Sequence, residues 1–216
     1  MSSLLDADLA RLNVSIEFRV GPGDELSPLP GGDTNVPWIY VVDCAGEFLL
    51  FVRRDLFPKL KNEFRAAGPK SLFQDLTLAS AISRRYRSAR EPALERGPVC
   101  VGCVLERMPD PREYAEVVEE SGTFVIRREG RAVSRAWTVR GDSRASELAA
   151  ETEEDQRRLG LGRQVTAAWA AATLRQNRVA FYSFRSHNVA SRALAESLKA
   201  RQYGTAVAYS LPKEKS

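Results

Sequence analysis

Two glycines and three arginines make one stretch of this chain stand out: Glu153-Glu154-Asp155-Gln156-Arg157-Arg158-Leu159-Gly160-Leu161-Gly162-Arg163. Glycine lets the backbone come close to a ligand and turn successive N–H groups toward it. An amphipathic helix is expected to begin here, and the first N–H groups of a helix have no partner inside it. The helix dipole favours an anion at that end, and Arg157, Arg158 and Arg163 add formal charge. Phosphate is the natural guest. A nucleoside-triphosphate loop would need Gly-Lys-Ser/Thr, but Gly162 is followed by Arg163-Gln164. A dinucleotide fingerprint would need a third glycine at Val165 and an apolar strand just before it, where charged residues stand instead.

These residues need elements to hold them. A strand is expected from about Ser146 to Thr152. A helix from Leu161 to about Gln176 would place Leu161, Val165, Trp169 and Ala172 on one face. A strand Val179–Phe184, a helix Val189–Ala200 and a strand Tyr203–Leu211 follow. Upstream, Val99–Met108 reads as a strand and Pro111–Glu120 as a short helix. Thr123–Arg128 and Ala132–Arg140 read as a hairpin around Glu129-Gly130. The first half is less regular. Val14–Val20 alternates like a half-buried strand, and Trp38–Asp43 with Glu47–Arg53 reads as a hairpin turning at Ala45-Gly46. Asp55 is placed to cap a helix ending near Ala67, and Leu72–Tyr86 reads as a second helix. Glu91–Pro98, with two prolines and a glycine, is the natural boundary. The fold class is α/β, a mixed sheet flanked by helices. A core over residues 98–216 is joined to an N-terminal α/β extension over residues 1–97.

Arg-x-x-Gly-x-Gly at 157–162, between a strand and a long helix, resembles the pyrophosphate-binding motif of the GNAT superfamily, the acyl-CoA-dependent N-acetyltransferases. Phe181-Tyr182-Ser183 followed by His187-Asn188-Val189-Ala190-Ser191 is similar to that family's fifth strand and the start of its next helix. The resemblance spans roughly Gly122 to Leu211. It implies that strand 146–152 splays from strand 179–184 to admit a pantetheine arm, with backbone groups of Ala150 and Thr152 pairing to it. It further implies that Arg157 and the amides of Arg158, Leu159, Gly160, Leu161, Gly162 and Arg163 hold pyrophosphate, with Asn188 and Ser191 contacting the cofactor. Asn188 also has the type expected of a helix N-cap.

The implied chemistry is attack of an amine on the thioester of acetyl-CoA, with no metal. Glu147 is the favoured base and Glu151 the second candidate, one face of the strand carrying both. Many relatives place a tyrosine acid seven residues after the asparagine, but here that position is Ala195. Tyr203 is the candidate substitute, with Tyr182 behind it, although either also reads as a core residue. His187, the only histidine, reads as a turn residue. The family usually closes with a further strand, yet only Pro212-Lys213-Glu214-Lys215-Ser216 follow Leu211. The missing strand is expected from the N-terminal region or a partner chain, unless it is absent.

Composition narrows the classes. The 216 residues are 44% hydrophobic and 28% charged, enough for a substantial core and too apolar for a disordered chain. Basic residues number 32 and acidic ones 28, with the signs mixed throughout, so a dedicated nucleic-acid partner is not expected. No apolar run approaches a membrane span, and no signal-peptide pattern opens the sequence. Cys100-x-x-Cys103 lies in an apolar strand pattern, and Cys44 and His187 are far from it in sequence. Reduced core thiols fit better than zinc and point to the cytoplasm. The expected function is an N-acetyltransferase acting on a small-molecule amine. A non-catalytic acyl-CoA-binding regulatory module is the alternative, and a homodimer stays open. Acidic runs at Glu116–Glu120 and Glu151–Asp155 would suit a cationic acceptor, or are simply solvated.

Overall fold

A computed structural model of the chain describes residues 5–31, 35–87 and 92–212. In chain order the elements are α1 (Asp6–Glu17), β1 (Arg19–Gly21), β2 (Glu25–Ser27), β3 (Ile39–Cys44), β4 (Glu47–Arg53), α2 (Pro58–Ala67), α3 (Pro69–Gln74), α4 (Leu78–Arg84) and β5 (Glu95–Arg96). They continue with β6 (Cys100–Leu105), β7 (Val118–Glu120), β8 (Thr123–Arg128), β9 (Arg131–Gly141), β10 (Ala145–Thr152), α5 (Leu161–Arg175), β11 (Val179–Arg185), α6 (Val189–Ser197) and β12 (Arg201–Ser210). The fold class is mixed α/β, a mixed sheet flanked by helices. The chain divides into two compact units, one of residues 1–101 with 203–216 and the other of 102–202.

In the first unit β3 and β4 form the expected hairpin, in register from Ile39 opposite Val52 to Cys44 opposite Glu47. Ala45 and Gly46 both take positive φ, as a tight two-residue hairpin turn requires, and the Gly46 N–H donates to Asp43 Oδ1 at 2.8 Å. β12 runs antiparallel to β3. The N-terminal region therefore supplies a neighbour to the last strand. On this sheet a core gathers Ile39, Val41, Leu60, Phe64, Leu72, Ala79, Val207 and Tyr209. The Tyr209 hydroxyl donates to the Leu72 carbonyl at 2.7 Å.

Three sequence expectations change in this unit. Val14–Glu17 ends helix α1 instead of starting a strand. Its alternating apolar residues also fit a helical stripe with Leu9 and Ala10, and Leu9, Ala10, Val14 and Ile16 are all buried. Asp55 pairs with Arg53 at 2.6 Å, and helix α2 starts at Pro58 with Phe57 at its cap. The helix expected over 72–86 breaks in two. The Asp75 carboxylate accepts from the Thr77 and Leu78 amides, starting a new helix, and these bonds hold its pKa below the ordinary value. Part of the expected boundary, Glu91, lies outside the described residues.

In the second unit β7, β8, β9 and β10 follow one another antiparallel, β10 is parallel to β11, and β6 lies beside β11. The stretch 111–120 is a short 3-10 turn, Pro111–Tyr114, followed by β7, and not a helix. Asp110 and Glu113 cap the start of that turn reciprocally. The hairpin at Glu129-Gly130 forms as expected. Helix α5 packs along β8, β9 and β10, with Val165, Ala167, Trp169, Ala170 and Ala171 buried.

The turn into β10 is tight. The Asp142 carboxylate accepts from the amides of Arg144 at 2.7 Å and Ala145 at 3.0 Å. A Cβ on Gly141 would stand 2.6 Å from the Ala145 carbonyl oxygen, so backbone would have to move. Gly141→Ala is expected to destabilise the protein by about 1–3 kcal/mol, read as a lower midpoint in urea unfolding.

Candidate functional site

β10 and β11 are partners for only three residues each, Ala145 with Val179, Ser146 with Ala180 and Glu147 with Phe181. Both strands then continue, β10 to Thr152 and β11 to Arg185, without further pairing to each other. At this same level the register between β9 and β10 shifts. Glu147 faces Arg140 and Leu148 faces Thr138, leaving Val139 as an extra residue on β9.

The free edge of β10 can be read from its bonds. The Glu153 N–H donates to the Val133 carbonyl at 2.9 Å, and the Ser134 hydroxyl donates to the Glu151 carbonyl at 3.3 Å. Residues 151 and 153 thus spend their backbone groups toward β9. By strand alternation, Leu148, Ala150 and Thr152 turn theirs to the other edge, where β11 has parted. The Thr152 carbonyl there already accepts from Arg157 Nε at 3.3 Å.

Side chains follow the complementary alternation. Trp169 Nε1 on α5 donates to Thr138 Oγ1 at 3.0 Å, so Thr138 and its partner Leu148 face the helix, as do Ala150 and Thr152. Gly162 confirms this: a Cβ there would lie 3.1 Å from Thr152 Oγ1. Strand end and helix start approach as closely as glycine permits. Glu147, Ala149 and Glu151 occupy the opposite face.

Beyond β10 the chain makes a 3-10 turn at Glu154–Gln156. Arg158 then takes φ 67° and Gly160 φ 77°, the left-handed conformation that glycine adopts without strain. Gly160 caps α5 with no side-chain bond, and the first helical bond runs from the Gln164 N–H to the Gly160 carbonyl at 3.2 Å. The amides of Leu161, Gly162 and Arg163 precede any such partner and point out of the helix start.

The arginines divide. Arg163 reaches back to Glu113, 2.5 Å away, and Arg107 pairs with the same carboxylate. Glu113 also accepts from the Asp110 amide at 3.0 Å, and that bond leads the causes holding its pKa low. For Arg158 no side-chain partner is found among the described residues. Asn188 caps α6 by accepting from the Ser191 amide at 3.1 Å, and His187 is exposed in the turn before it. Tyr182 lies on β11, its hydroxyl pKa pushed up by burial and opposed by the Ser191 hydroxyl. Ala195 is buried in α6. Tyr203 is buried in β12, within the other unit.

The two glutamates differ sharply. Glu151 is half exposed and pairs with Arg135, its cross-strand partner. Glu147 is 2% exposed. Its Oε2 accepts from Arg140 Nε at 2.6 Å, and its Oε1 accepts from the Ser183 hydroxyl. Neither Arg140 nor Ser183 emerges from the sequence as a site residue, because their partnership depends on strand register. The acidic runs are largely spent on arginines: Glu116 pairs with Arg128, Glu120 with Arg127 and Asp155 with Arg131.

Cys44, Cys100 and Cys103 are free thiols. Burial pushes Cys103 up to about 11, which leaves it inert near neutrality. Among the described residues no group of three or more His, Cys, Asp or Glu could hold a metal, and no helix is long and apolar enough to cross a membrane.

Removing a charged partner from a buried carboxylate is costly. Arg140→Ala is therefore expected to lower unfolding stability by about 2–4 kcal/mol, and the double variant with Glu147→Gln to recover part of that loss in the same urea titration.

No family model matches the sequence, and no curated protein sequence matches it. Two solved structures illustrate its likenesses. One is an acetyltransferase of the GNAT family from Colwellia psychrerythraea, 11% identical, with 98% of each chain covered and a TM-score of 0.46. The other is a GCN5-related N-acetyltransferase-like protein from Streptococcus suis, 16% identical, with 83% of this chain and 86% of the other covered and a TM-score of 0.46.

Proposed function

We propose that this chain is an acyl-CoA-dependent N-acyltransferase that moves an acetyl group from acetyl-CoA to the amine of a small molecule. One observation carries the reading. β10 leaves β11 after Glu147, its free backbone groups face the parting, and its end leads directly to a glycine helix start.

The chain's own groups suit such a co-substrate. An extended amide-bearing arm can pair with the edge of Leu148 and Ala150 as another strand would. A diphosphate can take the amides of Leu161, Gly162 and Arg163, which a side chain at residue 160 or 162 would obstruct. Arg157 and Arg158 flank the entry. Arg163 contributes chiefly its amide, because its guanidinium is tied to Glu113. Thr152 offers a carbonyl that Arg157 would have to release. Asn188 and Ser191 stand at the start of α6 as further contacts.

In the reaction, the amine nitrogen bonds to the thioester carbon, the carbon–sulfur bond breaks and the thiol departs. A β10 amide polarises the carbonyl in this reading. Glu147 is the favoured proton acceptor, with Glu151 second. The free thiols favour a cytoplasmic setting. Residues 98–216 are assigned as the catalytic core, with residues 1–97 completing the fold or shaping the acceptor pocket.

Ala195 favours a second reading. With no tyrosine at this position, a binding module that never turns over is a coherent rival.

Thermal melting with acetyl-CoA, CoA and NADPH side by side tests the binding half. Both CoA species are expected to stabilise, by about 2.7 kcal/mol at a hundredfold excess over the dissociation constant, and NADPH is not. Gly160→Asp adds a side chain and a negative charge at the helix start, and a loss of about tenfold or more in acetyl-CoA affinity is expected. Thiol release across a panel of amines then separates the enzyme from the binding module, which would bind without turnover.

A further inference from the structure

Glu147 carries a contradiction as a base: it is favourably placed and almost wholly buried. The arrangement around it resolves this. Phe181 stands opposite Glu147 in the last paired row of β10 and β11. Ser183 lies two residues further along β11, on the same face by alternation, and on the stretch that no longer pairs with β10. It is half-buried where Glu147 is not exposed, and its hydroxyl donates to Glu147 Oε1. Arg140, from β9, holds the other carboxylate oxygen at 2.6 Å.

We propose that Ser183 is a catalytic residue: it takes the proton from the acceptor amine and passes its own hydroxyl proton to Glu147. The proposal rests on the acyltransferase reading. The proton count closes. An ammonium gives one proton to Ser183 Oγ as the Oγ–H proton moves to Glu147 Oε1, leaving a neutral amine, an intact serine and a protonated Glu147. Attack on the thioester then forms the carbon–nitrogen bond and expels the thiol, and Glu147 returns its proton to solvent. A serine hydroxyl alone is too weak a base for this step; the buried carboxylate behind it supplies the proton sink. Arg140 holds that carboxylate in place, with its second oxygen turned away from Ser183. Glu151, the rival base on the same face, faces Arg135 instead.

The test compares the unsubstituted protein with Ser183→Ala, Ser183→Thr and Ser183→Cys, using acetyl-CoA with benzylamine and with trifluoroethylamine. Benzylamine is mostly protonated at neutral pH, whereas trifluoroethylamine is mostly neutral and needs less help. Ser183→Ala is expected to lower kcat for benzylamine by about tenfold or more, to change trifluoroethylamine turnover by less than about threefold, and to keep the acetyl-CoA melting shift. Ser183→Thr, which keeps the hydroxyl, is expected to restore most of the benzylamine rate. If the alanine variant does not fold, Ser183→Cys carries the same expectation, since a thiol of similar size is a poor hydrogen-bond relay. Unchanged benzylamine kcat in the variants, or an equal loss with both amines that threonine does not repair, overturns the proposal. Acetyl-CoA binding without turnover of either amine by the unsubstituted protein overturns the acyltransferase reading and this proposal with it.

Discussion

The carboxylate of Glu147 is the point on which the second unit turns. It sits in the last row where β10 and β11 pair, on the row next to the register shift between β9 and β10. Arg140 from one neighbour and Ser183 from the other hold its two oxygens. A buried charge of this kind persists only when its lone pairs are satisfied, and here the donors come from the strands on either side. Three strands are thereby tied together at one level. Past that level no strand of the described residues pairs with β10 on its β11 side, and of its backbone groups there the Thr152 carbonyl accepts from Arg157.

What lies at either end of that free edge follows from glycine. Gly141 allows the turn into β10 to close on the Ala145 carbonyl, and Gly162 allows the start of α5 to touch Thr152. Between them, Gly160 accepts a left-handed conformation that starts the helix with no side chain over its first amides. The start of α5 and the strand edge are therefore one continuous surface of backbone donors and acceptors. Charge plays a smaller part than the arginine count suggests, because Arg163 is held by Glu113 and Arg157 by the Thr152 carbonyl.

The local features of this region were legible because they are local. The hairpin turns at Ala45-Gly46 and Glu129-Gly130, the helix beginning at Leu161 and the Asn188 cap all depend on residues within a few positions of one another. Expectations failed where a local signal had two valid outcomes. Val14, Ile16 and Phe18 alternate, but Val14 and Ile16 also complete a helical stripe with Leu9 and Ala10. The apolar run from Leu72 hid a break because Asp75 caps a new helix inside it. Glu113, which reads as a residue of a short helix, instead caps the start of a single turn and takes Arg163 as its partner.

The sequence by itself determined the class of fold and the order of strand, glycine turn and helix. Those follow from periodicity and residue type over short distances. Only the tertiary structure decided that Glu147 is buried and Glu151 exposed, that Ser183 and Arg140 share one carboxylate, and that the last strand finds its neighbour in β3 from the N-terminal region. Those outcomes depend on strand register, and register brings together residues far apart in the chain through backbone bonds that carry no mark of side-chain type.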